Sequence, residues 1–451
     1  MKGRIARWQT ASGIDFHVAI TLLLRGWSIV AGGATALLIP SVLSPSQQGY
    51  FYTFNAVLAT QIFFELGLNH VLIQLTSHSA AHLRRLSDGH FEGELRWKQA
   101  IVSLLTCSRK WNMIMACLFF LVLLAGGTFF FSRNGTLPTA EWLQAWVVLA
   151  VAAAFNLAMS SRLAIWEGLG EVGQVARLRL HQSILGYVLL WVMLLSGQGL
   201  QAVAAVPLVA ALMTAWRLSR QPQFRRLQES VAAEAVSTKG GGLSWRKDIF
   251  PLQWRIALSW ASGYFIFNFL TPVIFAYQGP AAAGQLGLAL TIFSAITTVG
   301  ISWISAKIPV LSAHIARSER GELNALFDSQ ALRSVSATTL CVVGFVTVAE
   351  VASAFVPKVF ERLPSLAILL MLAVVTIVNS IIFALAAYMR AHKEEPLLGQ
   401  AVVTAILVGV GVYWAAPHGL TAAVAAYAGV TALVALPWSV LIYAKYRQRT
   451  I

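Results

Sequence analysis

Acidic residues are scarce in this chain: 18 aspartates and glutamates stand among 451 residues, against 33 lysines and arginines. Charged residues together make 11% of the sequence, where a soluble globular chain carries roughly 25%. With hydrophobic residues at 57% and a mean hydropathy of +0.69, that scarcity excludes an ordinary soluble domain. Cysteine is equally sparse. Cys107, Cys117 and Cys341 are an odd, scattered set, which excludes a disulfide framework and a cysteine-based zinc site, and no metal centre is expected. No Walker-type phosphate loop is present, so direct use of ATP by this chain is not expected. The basic opening "MKGRIARW" runs into a full-length apolar stretch with no small-residue cleavage site, so a cleavable signal peptide is not expected either. The alternation of an outer-membrane barrel is missing.

What fills the sequence is apolar runs of about 20 residues, each long enough to cross roughly 30 Å of hydrocarbon as a helix. Twelve are predicted, near 17–40, 48–72, 110–131, 142–161, 180–196, 200–217, 252–277, 282–306, 334–356, 364–388, 397–415 and 420–443. The fold class expected is therefore an all-α polytopic membrane protein. With the N-terminus inside, 29 lysines and arginines fall in cytoplasmic segments and three outside, namely Arg133, Lys358 and Arg362, with Arg25 inside a span. That bias places both termini in the cytoplasm. It also accounts for the net charge of +15 without nucleic acid, which is not an expected partner. The external loops are short, as in "SPSQQ" and "YQGP", and leave no room for an external catalytic domain.

The chain reads as two lobes of six spans, 1–216 and 251–451, joined by a cytoplasmic linker at 217–250 that contains "STKGGG". The lobes open alike. "RGWSIVAGGATALLIP" ends at Pro40 ahead of Gly49, and "RIALSWASGYFIFNFLTP" ends at Pro272 ahead of Gly284, a weak internal repeat that suits a transporter with its site between lobes. A second cytoplasmic piece, 77–110, mixes basic residues with Leu83, Phe91 and Trp97 and is expected to lie along the membrane surface. Within it His78 and His82 have metal-compatible spacing, but a solvated helix face is the expected reading.

Ionisable residues inside the membrane are functional candidates. Arg25 lies roughly 13 Å along span one and Glu65 roughly 10 Å from the cytoplasmic end of span two, so the two are positioned to pair. Such a pair either locks two helices or faces a cavity. Arg162, Arg177, Arg179, Arg255 and Lys307 sit at cytoplasmic span ends, where each serves as a snorkelling residue or, together with Arg25, as part of a cationic mouth for an anionic head group. Candidates for ion coupling are Glu65, His70, His181 and Glu350. Asn55, Gln61, Asn69, Asn156, Asn268, Gln285 and Asn379 are amides that either bind a polar cargo or hold helices together.

Two stretches carry a family likeness: "RGWSIVAGGATALLIPSVLSPSQQGYFYTFNAVLATQIFFELGLNHVLIQ" and "PLQWRIALSWASGYFIFNFLTPVIFAYQGPAAAGQLGLALTI". They resemble the Wzx-type polysaccharide transporters of the multidrug/oligosaccharidyl-lipid/polysaccharide (MOP) exporter superfamily, through "LSPSQQGYFYTF" at the first external turn and "AAAGQLGLAL" in the second lobe. The resemblance implies two helical bundles around a central cationic cavity that opens alternately to either side. It implies a flippase for an isoprenoid (undecaprenyl) diphosphate-linked oligosaccharide, moved from the cytoplasmic to the periplasmic leaflet of the bacterial inner membrane for O-antigen, capsule or exopolysaccharide assembly. A polysaccharide polymerase and a chain-length regulator are the implied protein partners, beside membrane lipids. No cofactor is expected, and a proton or sodium gradient and the membrane potential are the candidate driving forces. Three alternatives stay open: a cation-coupled multidrug exporter of the same superfamily, a membrane enzyme of glycan assembly, and a non-transporting scaffold. Acidic cavity residues would suit the exporter, and a carboxylate cluster with a large external domain would suit the enzyme.

Overall fold

The computed structural model describes residues 16–86, 91–220, 223–234, 249–353, 355, 361–392 and 394–449. Two compact units emerge. The first comprises Met1–Ala31, Thr60–Phe131 and Pro138–Trp260, the second Gly32–Ala59, Ser132–Leu137 and Ala261–Ile451. Among the described residues nine helical runs are long and apolar enough to span a membrane, and a bent pair makes a tenth. One run, Ile256–Ala316, holds two of the expected spans divided at Gly279 (φ 82°) and Pro280, and the shorter apolar helix Gly26–Val42 covers the first. Over the described residues each of the twelve expected segments is thus mainly helical. Large apolar side chains on these helices are exposed, among them Leu121, Phe129, Leu212 and Leu433, a surface that hydrocarbon solvates and water does not. The chain is a multi-pass membrane protein.

Helix α1 (Phe16–Val42) contributes to both units, and α2 (Pro45–Leu58) belongs to the second. The Leu-Ser-Pro stretch is a capping box. Ser44 Oγ accepts from the Gln47 N–H at 3.2 Å, Gln47 Oε1 accepts from the Ser44 N–H at 3.0 Å, and Pro45 takes the first helical position.

In the first unit the chain continues as a single turn, α3 (Ile62–Glu65), and α4 (Leu68–Ala80). Leu66 (φ 50°) and Gly67 (φ 66°) separate them in left-handed conformation, and a side chain at Gly67 would meet Ile256. A two-stranded hairpin pairs β1 (Arg84–Arg85) with β2 (Phe91–Glu92) ahead of α5 (Leu95–Asn134). Part of the segment expected to lie on the membrane surface is therefore the first turns of α5. Ile101, Leu104 and Leu105 bury themselves there against Leu68, Val71, Leu72 and Ile165. His82 stacks on Trp97 at 4.1 Å and His78 meets the same ring edge-on, so both imidazoles serve an aromatic cluster. A π turn at Leu123–Gly127 leaves the Leu123 carbonyl to accept from Trp146 Nε1 at 3.0 Å. The unit is completed by α6 (Thr139–Gly168), α7 (Val172–Leu195), α8 (Gly199–Ser219), α9 (Gln223–Glu234) and most of α10 (Phe250–Phe267). Helix α9 falls in the expected linker and packs Leu227 into the core; residues 235–248, with the "STKGGG" run, lie outside the described residues.

The second unit is organised around α2 and α11 (Leu270–Ser305). The two glycines of the internal repeat meet here. A Cβ on Gly49 would strike the Pro280 carbonyl, one on Gly284 would lie 2.8 Å from the Gly49 nitrogen, and Gln48, 1% exposed, donates to the Gly284 carbonyl at 2.9 Å. Helices α12 (Ile308–Ala316), α13 (Arg320–Ser353), α14 (Leu366–Ala391), α15 (Leu398–His418) and α16 (Leu420–Gln448) complete it. At one end Phe327, Tyr388 and Met389 form an apolar cluster. Beside it Arg447 forks onto both oxygens of Asp328 at 2.9 Å.

Candidate functional site

The second unit carries a half-open cavity of about 550 Å³ between α2, α11, α14 and α16, with Phe267 and Asn268 at the end of α10. Its position follows from sequence period. Gly287, Thr291, Ser294, Thr298 and Ile301 recur every three or four residues and form one stripe of α11, while Leu372, Val375, Thr376, Asn379 and Phe383 form the facing stripe of α14. Small and hydroxyl-bearing residues on the first stripe leave the space that larger side chains would fill.

The lining is polar without being charged. Among the described residues no carboxylate, ammonium, guanidinium or imidazole lines it. Asn55 donates from Nδ2 to the Phe51 carbonyl at 2.8 Å, and the Asn379 carboxamide and the Tyr427 hydroxyl are hydrogen-bonded to each other. The side chain of Asn268 makes no hydrogen bond to the described residues. A second cavity of about 700 Å³ shares Ile301 and Phe383 with the first. It extends to Arg390 and His392, about two turns further along the chain.

Of the seven amides singled out in the sequence, Asn55, Asn268 and Asn379 are thus brought together. Gln285 instead donates to the Glu361 carbonyl at 2.9 Å. In the first unit Asn156 donates to the Pro207 carbonyl at 2.9 Å, tying α6 to α8. An Asn156→Leu substitution is expected to cost about 0.6 kcal/mol of stability and no more than about 1.7, the average and the maximum for interhelical bonds in membranes, and to leave transport rates unchanged. Thermal unfolding in detergent beside a transport assay checks both halves of that expectation.

Gln61, Glu65 and Asn69 cluster in the first unit around the left-handed break. The Glu65 carboxylate accepts from Asn69 Nδ2 at 2.6 Å and is also hydrogen-bonded by Gln61. The expected partner Arg25 has its side chain outside the described residues, as does Arg255. Arg179 is the guanidinium whose charge reaches Glu65, and it is itself paired with Glu167 at 3.0 Å. Arg162 is half-buried with the like charge of Arg109 nearby, and Arg177, Lys307, His70, His181 and Glu350 are exposed.

Sequence reasoning missed the hydroxyls of the cavity, Thr271, Thr291, Ser294, Thr297, Thr298 and Thr376. The three-four spacing on α11 was the available signal. It also missed His314, Glu319 and Glu322, which meet at the turn between α12 and α13, with His314 Nδ1 2.7 Å from Glu319. The left-handed Ser318 (φ 59°) makes that turn, and the His314–Glu319 hydrogen bond closes it.

No family model matches the sequence, and no curated protein matches it either. Solved structures do. An inward-facing multidrug resistance MATE family transporter of the MOP superfamily aligns over 96% of this chain and 98% of its own, with a TM-score of 0.60 and 14% identity. The lipid II flippase MurJ in an inward closed conformation aligns over 96% and 90%, with a TM-score of 0.57 and 10% identity. A MATE in complex with MaD3S aligns over 96% and 93%, with a TM-score of 0.52 and 16% identity. At such identities the likeness is one of backbone architecture, and it spans nearly the whole chain. The protein has the helical fold of the MATE and MurJ transporters of the MOP superfamily.

Proposed function

We propose that this protein is a flippase that carries an isoprenoid (undecaprenyl) diphosphate-linked oligosaccharide from the cytoplasmic to the periplasmic leaflet of a bacterial inner membrane by alternating access. The pathway served is the assembly of O-antigen, capsule or exopolysaccharide. The observation that carries this reading is the uncharged, hydrogen-bonding cavity inside a membrane-spanning unit. A sugar head group entering hydrocarbon forfeits its water hydrogen bonds, at several kcal/mol for each unsatisfied group. A chamber of amides and hydroxyls replaces those bonds. The fold, shared with one flippase for a lipid-linked cargo, supports the reading, and so does the basic bias of the cytoplasmic segments toward an anionic diphosphate. Moving negative charge out against a negative interior gains roughly 2.3 kcal/mol per charge per 100 mV, so the membrane potential supplies direction.

The test is translocation of an undecaprenyl-diphosphate-linked trisaccharide in proteoliposomes, read by access of a sugar-oxidising or lectin probe to the outer leaflet. Protein-dependent exchange between leaflets is expected, accelerated by a potential of the stated sign. Vesicles that exchange no faster than protein-free ones would overturn it.

A second reading, export of organic cations coupled to an ion, is favoured by Glu65, a carboxylate set within an apolar segment and held by Asn69 and Gln61. Accumulation of tetraphenylphosphonium under an imposed proton or sodium gradient, abolished by Glu65→Gln, together with no movement of the lipid-linked sugar, would establish it instead.

A further inference from the structure

We propose that the cavity of the second unit is the subsite for the sugar hydroxyls of the cargo, that it selects a neutral donor-rich group, and that the diphosphate is held elsewhere. This rests on the flippase reading and assigns one part of its substrate to one place. The argument is a count of protons. A threonine hydroxyl has one proton to donate and two lone pairs to offer. Thr291 donates its proton to the Gly287 carbonyl at 2.8 Å, Thr297 to Phe293 at 2.9 Å, Thr298 to Ser294 at 2.9 Å and Thr376 to Leu372 at 2.7 Å. Each is a back-bond to the carbonyl four residues earlier on its own helix.

With those protons committed, the four hydroxyls have only lone pairs left for a ligand. Asn55 gives one Nδ2 proton to its own helix and keeps the other as a donor, with Oδ1 as an acceptor. The Asn268 carboxamide, unbonded among the described residues, adds both a donor and an acceptor. Acceptors of this kind are complementary to a group that brings protons.

Three ligand chemistries can be weighed against that wall. A diphosphate only accepts, so at the four threonines it would face lone pairs, and no cation lines the wall to neutralise it. An organic ammonium would find acceptors but no carboxylate to pair with its charge. A sugar brings several hydroxyl donors, carries no charge and has apolar ring faces. Phe267 and Phe383, stacked with centroids 5.9 Å apart, offer a flat apolar surface beside the hydroxyl stripe. At about 550 Å³ the space falls within the roughly 300–1,000 Å³ of small-molecule sites and suits a short oligosaccharide, not a long chain.

The experiment uses the full chain in nanodiscs and two probes, undecaprenyl diphosphate bearing a neutral trisaccharide and undecaprenyl diphosphate bearing no sugar. Thr291→Val with Thr298→Val removes two acceptors at constant shape, and Asn268→Leu is made separately. Each variant is expected to bind the sugar-bearing probe about tenfold more weakly and the sugar-free probe as the parent does. Thermal unfolding of each variant identifies any that misfold, and the other then decides the matter. Equal weakening of both probes, or of neither, in a folded variant would overturn the subsite while leaving the flippase reading intact. A parent protein that binds neither probe would overturn the flippase reading itself. Tighter binding of tetraphenylphosphonium than of the sugar-bearing probe, lost on Asn268→Leu, would also overturn the proposal and reassign the cavity to cations.

Discussion

Gly49→Ala is expected to remove the protein from the monodisperse fraction on fluorescence-detected size exclusion, whereas Gly126→Ala is expected to leave it there. The two substitutions add the same methyl group to a glycine in an apolar helical segment. At Gly126 the added carbon would meet nothing within 4 Å. At Gly49 it would run into the carbonyl of Pro280, with Gly284 bringing its own backbone against Gly49 from the other side. Backbone cannot rotate aside as a side chain can, so the helices must separate. Separation would also break the bond from Gln48 to the Gly284 carbonyl and loosen the edge-on contact of Tyr50 and Phe275, whose centroids are 5.0 Å apart. A loss at the upper end of the roughly 1 to 3 kcal/mol typical of overpacking, or beyond it, is expected. Gly284→Ala should behave as Gly49→Ala does, since it meets the same crossing from the opposite helix. Equal recovery of all three variants would show that the crossing has slack that the packing described here denies.

The largest functional effect is expected from Ser294→Trp. Ser294 occupies the middle of the hydroxyl stripe on α11, and an indole there projects into the roughly 550 Å³ chamber and covers the neighbouring hydroxyls. Translocation of a lipid-linked oligosaccharide should fall about a hundredfold or more, equivalent to at least ~2.7 kcal/mol of barrier. The melting temperature should hold, because the space is empty of protein atoms. Leu121→Trp adds comparable bulk at a side chain that is 59% exposed on a membrane-spanning helix and should change neither quantity. Unimpaired translocation by a stably folded Ser294→Trp protein would separate the chamber from the transport path.

Much of the architecture was legible because hydrocarbon imposes one answer on long apolar segments: a helix that satisfies its own backbone. Gly49 and Gly284, noticed as an echo between the halves, prove to meet each other, and the Ser-Pro-Ser-Gln sequence before Gly49 carried its capping box openly. Breaks were harder to read. The left-handed pair Leu66 and Gly67 sits between Glu65 and Asn69 in a stretch still apolar enough to read as one continuous span, and the extra turns at the start of α5 were hidden by Arg96 and Lys98. The amides were visible as polar residues in apolar surroundings, and three of the seven, Asn55, Asn268 and Asn379, line one cavity. The threonines were not, because hydropathy barely separates threonine from its neighbours, and only their recurrence on a single helix face marks them out. Nor could polarity alone show that Asn156 serves a carbonyl of another helix while the Asn268 side chain serves none among the described residues.

The pair of left-handed residues at 66 and 67 bears on the course of the chain through the first unit. Their reversed step turns the segment by 46° between α2–α3 and α4, so the first unit holds a fixed elbow where a straight span would hold a rod.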